Sequence, residues 1–488
     1  MLVIKKAQNS AMRFSEYFNL NKTQPYLDFV DIPLDTDLPV FLDPTAIKSL
    51  QTNWGIELSS LLQLFFETVL KLIREGNDTK AQILLSSLNE RNEFHLGYSV
   101  GKSRGHGFGS MSAKSVWNEL SNSNAAVTGL LKDLEDSALM IPGIGTDMIS
   151  DAVCNIIRGP LIKYTQNICS YYGIPLTDDV ASGPSWNPHK EKWEESFVPL
   201  PMTKYGKVIL VPKILVRHRI TYNYDEYYRH YILPQMQHEH IEAHSPLIEV
   251  LRDGRERVTK KSLIKKYGFD KLAVVDQTKT RPEILQDYKD EKESLNLKPL
   301  TQEDFSEIEN IELPDLAPFL NEMKNLPTGR ETSTKYEDII EKILSVILYP
   351  SLCNPRKQHN IHKGRKRIDI TYTNEANYGF FNWLSKHYPC SQIFVECKNY
   401  GNEVGNPEID QLAGRFSPSR GKVGILICRS IENKKKLYQR CIDTAKDDRG
   451  YMLVLDDDDI IDLVNTYNDK PDCQKFHKFR SLWDALID

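Results

Sequence analysis

The sequence lacks several patterns by which protein classes are most easily recognised. It has 8 cysteines in 488 residues, but no two form a C-x-x-C pair, so neither a zinc site nor a disulfide framework is predicted. The apolar stretch from Leu61 to Leu72 is interrupted by Gln63, Glu67 and Lys71 and is too short to span a bilayer. No apolar segment of the kind found in secretory signals follows the N-terminus. We therefore expect a cytoplasmic protein with reduced thiols and no membrane association.

The chain also lacks an excess of positive charge. Its 62 Lys and Arg residues face 67 Asp and Glu residues, for a net charge of −5. Binding to nucleic acid would therefore need a local concentration of basic residues. The rest of the composition, 40% hydrophobic and 26% charged, is typical of globular proteins. The length is sufficient for about three domains.

The composition divides the chain into three parts. Residues 1–250 mix helical and short extended patterns, which predicts a mostly helical α+β region. The role of this region is unknown, and sensing and target positioning are the two candidates. Residues 251–329 are rich in Asp, Glu and Lys and predict a charged helical connector. Residues 330–488 alternate amphipathic helices with apolar strands. This alternation indicates an α/β layered domain, so the fold class is α/β.

Two segments of the N-terminal region carry distinct local patterns. Apolar residues recur at helical spacing from Leu58 to Ile73, which predicts an amphipathic helix. Residues 208–216 are almost continuously apolar and predict a buried strand that Pro212 breaks or confines to a sheet edge.

The most informative residues lie in the last third of the chain. Asp369 lies inside one short apolar run, and Glu396 and Lys398 lie two residues apart in the next. Residues i and i+2 of a strand face the same side, so Glu396 and Lys398 project together. A buried acid needs a partner or a metal. An ion pair at the end of a sheet is one interpretation. The other is metal-assisted phosphodiester cleavage, in which two carboxylates bind a divalent cation and the lysine orients or deprotonates the attacking water.

The order of these motifs resembles the PD-(D/E)XK, or restriction-endonuclease-like, nuclease superfamily, most closely its Mrr-like branch. The resemblance covers residues 330–488 and implies a C-terminal αβ sandwich with a central mixed sheet. In the family, a helix with a glutamate, a strand with an aspartate, an E-x-K strand and a helix with a glutamine follow one another. The matching residues here are Glu337, Asp369, Glu396, Lys398 and Gln411.

The resemblance also implies a metal site. Asp369 and Glu396 would be the ligands, with the backbone carbonyl of Cys397 as a further ligand. Glu337 would bind the metal through water or bind a second cation. A set of hard oxygen ligands suits Mg²⁺ or Mn²⁺.

The same match gives roles to the two remaining motif residues. Lys398 would position the water and stabilise charge on phosphorus, and Gln411 would orient Lys398 or the phosphate. The sequence departs from the family twice. Ile368 stands where a proline is usual, and Arg415 stands where some branches have a tyrosine.

A basic segment precedes the Asp369 strand. Phosphate contacts from such residues release counterions and add salt-sensitive affinity for nucleic acid. A solvated charged hairpin is the alternative interpretation. The segment contains Arg356, Lys357, Lys363, Arg365, Lys366 and Arg367.

The sequence therefore predicts a Mg²⁺-dependent endonuclease with double-stranded DNA as the expected substrate. The resemblance implies a role in restriction or anti-phage defence. One alternative is a catalytically silent nucleic-acid-binding or assembly module. Another is a nuclease that is licensed by a trigger, either a nucleotide or a partner protein, bound to the N-terminal region. The oligomeric state stays open, although cleavage of two strands by single-site nucleases commonly resembles the work of a dimer.

Overall fold

The structure is a computed structural model, and it describes most of the chain. Helices make up about half of it, and the C-terminal region holds one five-stranded mixed sheet, so the α/β fold class is confirmed at that level. The described residues are 11–50, 52–88, 91–97, 119–120, 123, 125–126, 130–219, 221–295, 298–361, 366–401, 404–469 and 476–487.

The part of the chain up to residue 309, which spans the predicted N-terminal region and most of the predicted connector, is built from helices and short antiparallel strand pairs. Its described helices are α1 (Phe14–Tyr17), α2 (Pro44–Lys48), α3 (Asn53–Arg74), α4 (Asp78–Ser86), α5 (Asp136–Met140), α6 (Thr146–Ile156), α7 (Arg158–Tyr172), α8 (Tyr224–Tyr227), α9 (Leu233–Glu242), α10 (Lys260–Tyr267), α11 (Lys271–Thr280), α12 (Pro282–Leu295) and α13 (Gln302–Glu309). Its strands are β1 (Phe41–Leu42), β2 (Thr177–Ala181), β3 (Ser185–Asn187), β4 (Lys192–Glu194), β5 (Phe197–Leu200), β6 (Met202–Thr203), β7 (Gly206–Lys207), β8 (Val216–Arg217), β9 (Glu249–Val250) and β10 (Glu256–Arg257). They pair as β1 with β8, β2 with β5, β3 with β4, β6 with β7, and β9 with β10.

The helix predicted over residues 58–73 lies within α3. The helix begins where the Thr52 hydroxyl accepts a hydrogen bond from the Gly55 N–H, at 3.2 Å, which satisfies one of its first backbone donors. Leu58, Leu62 and Phe65 lie on its buried face. Helical periodicity therefore identified this element correctly, while the capping residue lies outside the periodic segment.

The strand predicted over residues 208–216 is wrong for most of its length. The segment is buried, but only Val216 belongs to a strand, and residues 213–215 form a 3₁₀ turn. An isolated bridge in this segment pairs Pro212 with Phe29 in antiparallel orientation, at a position where no N–H of residue 212 is needed. Two hydrogen bonds join this segment to residues 28–30. The Val30 N–H donates to the Val211 carbonyl and the Lys213 N–H donates to the Asp28 carbonyl, each at 2.9 Å.

The C-terminal region forms a layered α/β unit around its sheet. The strands are β11 (Leu352–Ile361), β12 (Lys366–Asn374), β13 (Gln392–Lys398), β14 (Val423–Cys428) and β15 (Tyr451–Leu455), in the spatial order β11-β12-β13-β14-β15. The pairs β11–β12 and β12–β13 are antiparallel, whereas β13–β14 and β14–β15 are parallel. The helices are α14 (Ala317–Asn325), α15 (Ser333–Ile347), α16 (Gly379–His387), α17 (Asn406–Ala413), α18 (Lys434–Lys446), α19 (Asp457–Asp469) and α20 (His477–Ile487).

Buried side chains form two hydrophobic cores. The first runs from Phe14 to Phe305 and also takes in Tyr349 and Cys353, and the second runs from Leu316 to Leu486. The segment 251–329 is largely helical and contributes buried residues to both cores. The predicted domain boundaries at 250 and 330 remain predictions. Among the described residues, no helix is long and apolar enough to cross a membrane.

Buried polar contacts join the N-terminal region to the C-terminal sheet. The Thr52 hydroxyl donates to Glu375 Oε1 at 2.8 Å. The Lys213 ammonium lies 4.1 Å from the centre of the Tyr349 ring. Burial raises the pKa of Glu375 to about 8, and the neighbouring Asp28 carboxylate acts in the same direction while the Thr52 hydrogen bond opposes it. The neutral form of Glu375 is therefore favoured in the folded protein.

Glu375→Gln should flatten the dependence of stability on pH. A carboxyl group whose pKa is raised on folding contributes stability that is present below its unfolded pKa and is lost as pH rises through the folded value of about 8. The thermal midpoint of the wild-type chain should therefore fall more between about pH 5 and about pH 9 than that of Glu375→Gln.

Differential scanning calorimetry of both proteins across that range measures the difference. Glu432→Gln, at an exposed glutamate on the surface, serves as the matched control and should follow the wild type. Parallel curves for wild type and Glu375→Gln would contradict the assignment of a neutral Glu375.

Candidate active site

The carboxyl end of β13 opens into a cleft with a volume of about 770 Å³. This end of the sheet is where the predicted motif residues converge. All five of them line the cleft, together with residues of the loop before α15 and of the segment after β13. The lining consists of Gly329, Arg330, Ser333, Glu337, Asp369, Glu396, Cys397, Lys398, Asn399, Tyr400, Asp410, Gln411 and Arg415.

The pairing of β12 with β13 brings the first carboxylate to the second. Ile370 lies opposite Val395, so Asp369 lies beside the Glu396 end of β13. The Cys397 N–H donates to Asp369 Oδ2 at 2.9 Å, which fixes the orientation of the aspartate. Two carboxylates separated by 27 residues in sequence are thus held next to each other by backbone geometry.

Glu396 is 1% exposed, and its two oxygens have very different surroundings. Three side chains converge on Oε1: Lys398 Nζ donates at 3.0 Å, Gln411 Nε2 at 2.7 Å and Arg415 Nη2 at 3.2 Å. Within the described part of the chain, Oε2 is buried and has no hydrogen-bond partner. A buried oxygen without a partner costs free energy, so this atom needs a ligand or solvent partner from outside the chain.

Helix α17 supplies the residues that hold the glutamate and the lysine together. It starts with Pro407 inside its first turn, where a missing N–H costs nothing. Gln411 then reaches both partners, since its Oε1 accepts from Lys398 Nζ at 3.0 Å while its Nε2 donates to Glu396. Arg415 follows the helix by two residues and is 5% exposed. Gln411 therefore lies at the centre of the hydrogen-bond network.

Burial and the nearby Glu396 carboxylate raise the pKa of Asp369 to about 6, and the Cys397 N–H opposes this shift. Burial alone would lower the pKa of Lys398, but the adjacent Glu396 carboxylate outweighs this and raises it. Lys398 is therefore held as an ammonium, which suits it for orienting water and stabilising negative charge rather than for removing a proton.

Glu337 reaches the same cleft from the opposite side. Its helix, α15, packs against β13.

Burial raises the pKa of the Cys397 thiol well above its ordinary value, with further contributions from the charges of Asp369 and Glu337. The Cys397 sulfur therefore stays protonated and is not a thiolate ligand.

The ligand set is incomplete as the side chains stand. In the residues that the structure describes, no group of three or more His, Cys, Asp or Glu side chains is placed to hold a metal ion. Two carboxylates with a nearby backbone carbonyl nevertheless match the oxygen chemistry of Mg²⁺, which commonly keeps water and substrate oxygens among its ligands.

The sequence did not predict several residues that line the cleft. Arg415 was noted only as a departure from a tyrosine, yet it contacts Glu396 directly. Arg330 is exposed at the rim, and Tyr400 is 45% exposed with the Lys398 ammonium 5.9 Å from its ring centre. No pattern in the sequence links Arg330 to the site, because the tertiary fold alone brings it there.

A second network holds the loop that forms one wall of the cleft. Asn399, the residue after β13, donates from Nδ2 to the Gly329 carbonyl at 3.1 Å and to Thr332 Oγ1 at 2.8 Å. Arg429 donates to Asn399 Oδ1 at 3.0 Å and to Asp457 Oδ2 at 2.8 Å. The position of Gly329 and Arg330 beside the motif therefore depends on side chains from three separate segments.

The basic segment is only partly described. Arg356 is exposed, and Lys357 forms an ion pair with Asp338. Lys363 and Arg365 lie outside the described residues, as do the side chains of Lys366 and Arg367 at the start of β12. Neither Arg356 nor Lys357 lines the Asp369–Glu396 cleft. Phosphate binding by this segment remains a prediction.

Comparison with known proteins gives one match. Residues 19–223 match a family described as a domain of unknown function, DUF8370. No curated protein and no solved structure matches the chain. The matched segment lies in the N-terminal region and does not include the cleft residues.

Arg415→Ala and Glu396→Ala should lower thermal stability non-additively. Removing the arginine leaves Glu396 with fewer partners, and removing the glutamate leaves two buried cations near each other, at a cost of about 1–3 kcal/mol each. The double variant should lose less than the sum of the single losses.

Thermal midpoints of the four proteins test this double-mutant cycle. Arg257→Ala and Glu249→Ala remove an exposed ion pair of 3.1 Å and form the control cycle, in which shifts should be small and additive. Additive losses at Arg415 and Glu396 would show that the buried contact does not couple them.

Proposed function

We propose that the C-terminal region is a metal-dependent endonuclease that hydrolyses phosphodiester bonds of nucleic acid. The observation that carries the proposal is the environment of Glu396. Three donors converge on Oε1, whereas Oε2 is buried and has no hydrogen-bond partner among the described residues. A structural ion pair accounts for Oε1 but leaves Oε2 unexplained. A divalent cation bound between the two carboxylates accounts for both oxygens.

The residues present fit such a cation. Asp369 and Glu396 would hold it, with the Cys397 carbonyl and Glu337 as further oxygen donors. The repulsion that raises the pKa of Asp369 is the repulsion that a cation relieves. Mg²⁺ or Mn²⁺ held there would supply Lewis-acid activation of the phosphate.

Side chains of the cleft position the attacking water and stabilise the negative charge of the transition state. The Lys398 ammonium, within 3.0 Å of Glu396, orients the attacking water and stabilises negative charge on phosphorus. Gln411 prevents Lys398 from moving away, because it bonds to both Lys398 and Glu396. Arg330 and Tyr400, both exposed at the mouth of the cleft, can contact the phosphate backbone and a base.

The wider interpretation belongs to the same proposal. The mixed order of antiparallel and parallel strands, with helices α15 and α17 next to the motif strands, supports a restriction-endonuclease-like sandwich. Double-stranded DNA is the proposed substrate. A cytoplasmic role in restriction or anti-phage defence follows from the resemblance of the motif and from the two-part organisation of the chain.

Lys398→Ala, Asp369→Asn and Glu396→Gln should each lower hydrolysis of DNA by at least about a hundredfold, since each removes a charge that acts on the transition state. The measurement is the rate of conversion of supercoiled plasmid to nicked and linear forms with Mg²⁺, with Mn²⁺ and with EDTA. Single-stranded DNA and RNA are tested in parallel.

Lys435→Ala, at an exposed lysine of α18, is the matched control and should retain full activity. Activity that persists in EDTA, or that is equal in the wild type and all three variants, would overturn the proposal. If wild type leaves all substrates intact under every metal condition, the catalytically silent alternative is favoured.

Mn²⁺ and Mg²⁺ should raise the thermal midpoint of the wild-type chain. A ligand that binds only the folded state stabilises it by about 2.7 kcal/mol when its concentration is about 100 times Kd. Glu396→Gln removes a ligand charge without changing side-chain size, so its midpoint should respond far less. Glu432→Gln should respond like the wild type. Equal responses of wild type and Glu396→Gln would place the bound cation elsewhere.

A further inference from the structure

A second cavity, of about 870 Å³, lies between the N-terminal region and the opposite end of the same sheet. Its walls are the first turn of α3, one face of α7, and the ends of β11, β12 and β13. No residue lines both this cavity and the cleft. On β13, Gln392 and Glu396 are four residues apart, which is roughly 13 Å at about 3.3 Å per residue. The two cavities are therefore separate sites on shared strands.

One side of this cavity is aromatic. Trp54, in the first turn of α3, stacks on Tyr164 of α7, with ring centres 6.2 Å apart and planes inclined by 25°. Tyr164 and Tyr171 lie seven residues apart, two turns along one face of α7, and both line the cavity. Flat rings at a partly open wall are suited to stacking against a planar heterocycle.

The side formed by the sheet presents polar atoms that lack partners. Glu375 is 1% exposed, and its Oε1 accepts from Thr52 while its Oε2 has no hydrogen-bond partner in the described structure. The same is true of Gln392 Oε1 and Asn354 Oδ1. All three side chains line the cavity. Burial raises the pKa of Glu375, so a neutral carboxyl group here offers a donor as well as an acceptor.

The rim of the cavity is positively charged. Lys163 and Arg356 are both exposed there, and neither takes part in an ion pair with any described residue. Lys357 is neutralised by Asp338, and Glu57 is the acid at this rim. The two uncompensated cations exceed this one acid, so the rim is suited to an anionic group.

We propose that this cavity binds a nucleoside phosphate. The base stacks at Trp54 and hydrogen-bonds to Glu375 and Gln392, and the phosphate contacts Lys163 and Arg356. Free nucleotides and the nucleotides of a polynucleotide strand share this chemistry, so either can be the source. The proposal does not depend on the activity of the cleft, because binding can be measured without hydrolysis.

Isothermal titration calorimetry of the full chain in EDTA tests the site. The probes are AMP, GMP, CMP and UMP, with adenosine and inorganic phosphate as part ligands, and a 5′-phosphorylated tetranucleotide as the strand source. At least one mononucleotide, or the tetranucleotide alone, should bind with a Kd below about 1 mM. The double variant Lys163→Ala, Arg356→Ala should weaken nucleotide binding by at least about tenfold while leaving adenosine unchanged.

Glu375→Gln keeps the shape of the polar wall but alters its donors and acceptors. It should change the preference among the four bases by about tenfold and leave inorganic phosphate unaffected. Lys435→Ala should bind like the wild type. Absence of binding by every probe, or equal binding by wild type and both cavity variants, overturns the proposal. Because nuclease assays play no part, failure here is distinct from failure of the proposed activity.

Discussion

The buried carboxylate of Glu396 is the constraint around which the C-terminal region is organised. A negative charge that is 1% exposed needs compensation, and the fold supplies it from three directions. Lys398 comes from the same strand, Gln411 from the helix that follows, and Arg415 from the segment beyond it. All three donors contact Oε1, so Oε2 has no hydrogen-bond partner among the described residues. The side chains that stabilise the fold at this point are therefore also the side chains that shape the candidate site.

The walls of the cleft depend on interactions further away. Asn399 and Arg429 tie the loop before α15 to the ends of β13 and β14, through a chain of hydrogen bonds that ends at Asp457 and Tyr336. The Arg429 guanidinium also lies 5.2 Å from the centre of the Tyr336 ring. Because Glu337 follows Tyr336 directly, this network also fixes the start of the helix that carries the third acid.

The sequence predicts the strands and helices that carry the motif residues of the C-terminal region. It does not predict all the residues that surround them in the cleft. The alternation of i and i+2 on β13 was enough to place Glu396 and Lys398 on one side, since it depends only on local geometry. Asp369 lies beside them through strand pairing, which the element order of the family that the motif resembles makes predictable. Arg330 and Asn399 could not be predicted, because their positions follow from packing between distant segments. In the N-terminal region, the run at 208–216 is buried as its hydrophobicity predicts, but most of it forms no strand, because strand pairing depends on partners that hydrophobicity does not specify.

The arginine at position 415 affects how much positive charge the site still needs. Asp369, Glu396 and Glu337 bring three acids to the inner cleft, and Lys398 and Arg415 bring two bases. The protein therefore already offsets most of the negative charge, whereas a tyrosine at 415 would leave a larger deficit. One divalent cation, bound as proposed, would reverse the sign of the remaining charge and make the cleft attractive to a phosphate, while a second would add charge that the acids cannot balance. If the proposed cation is bound, this charge balance therefore favours one cation over two.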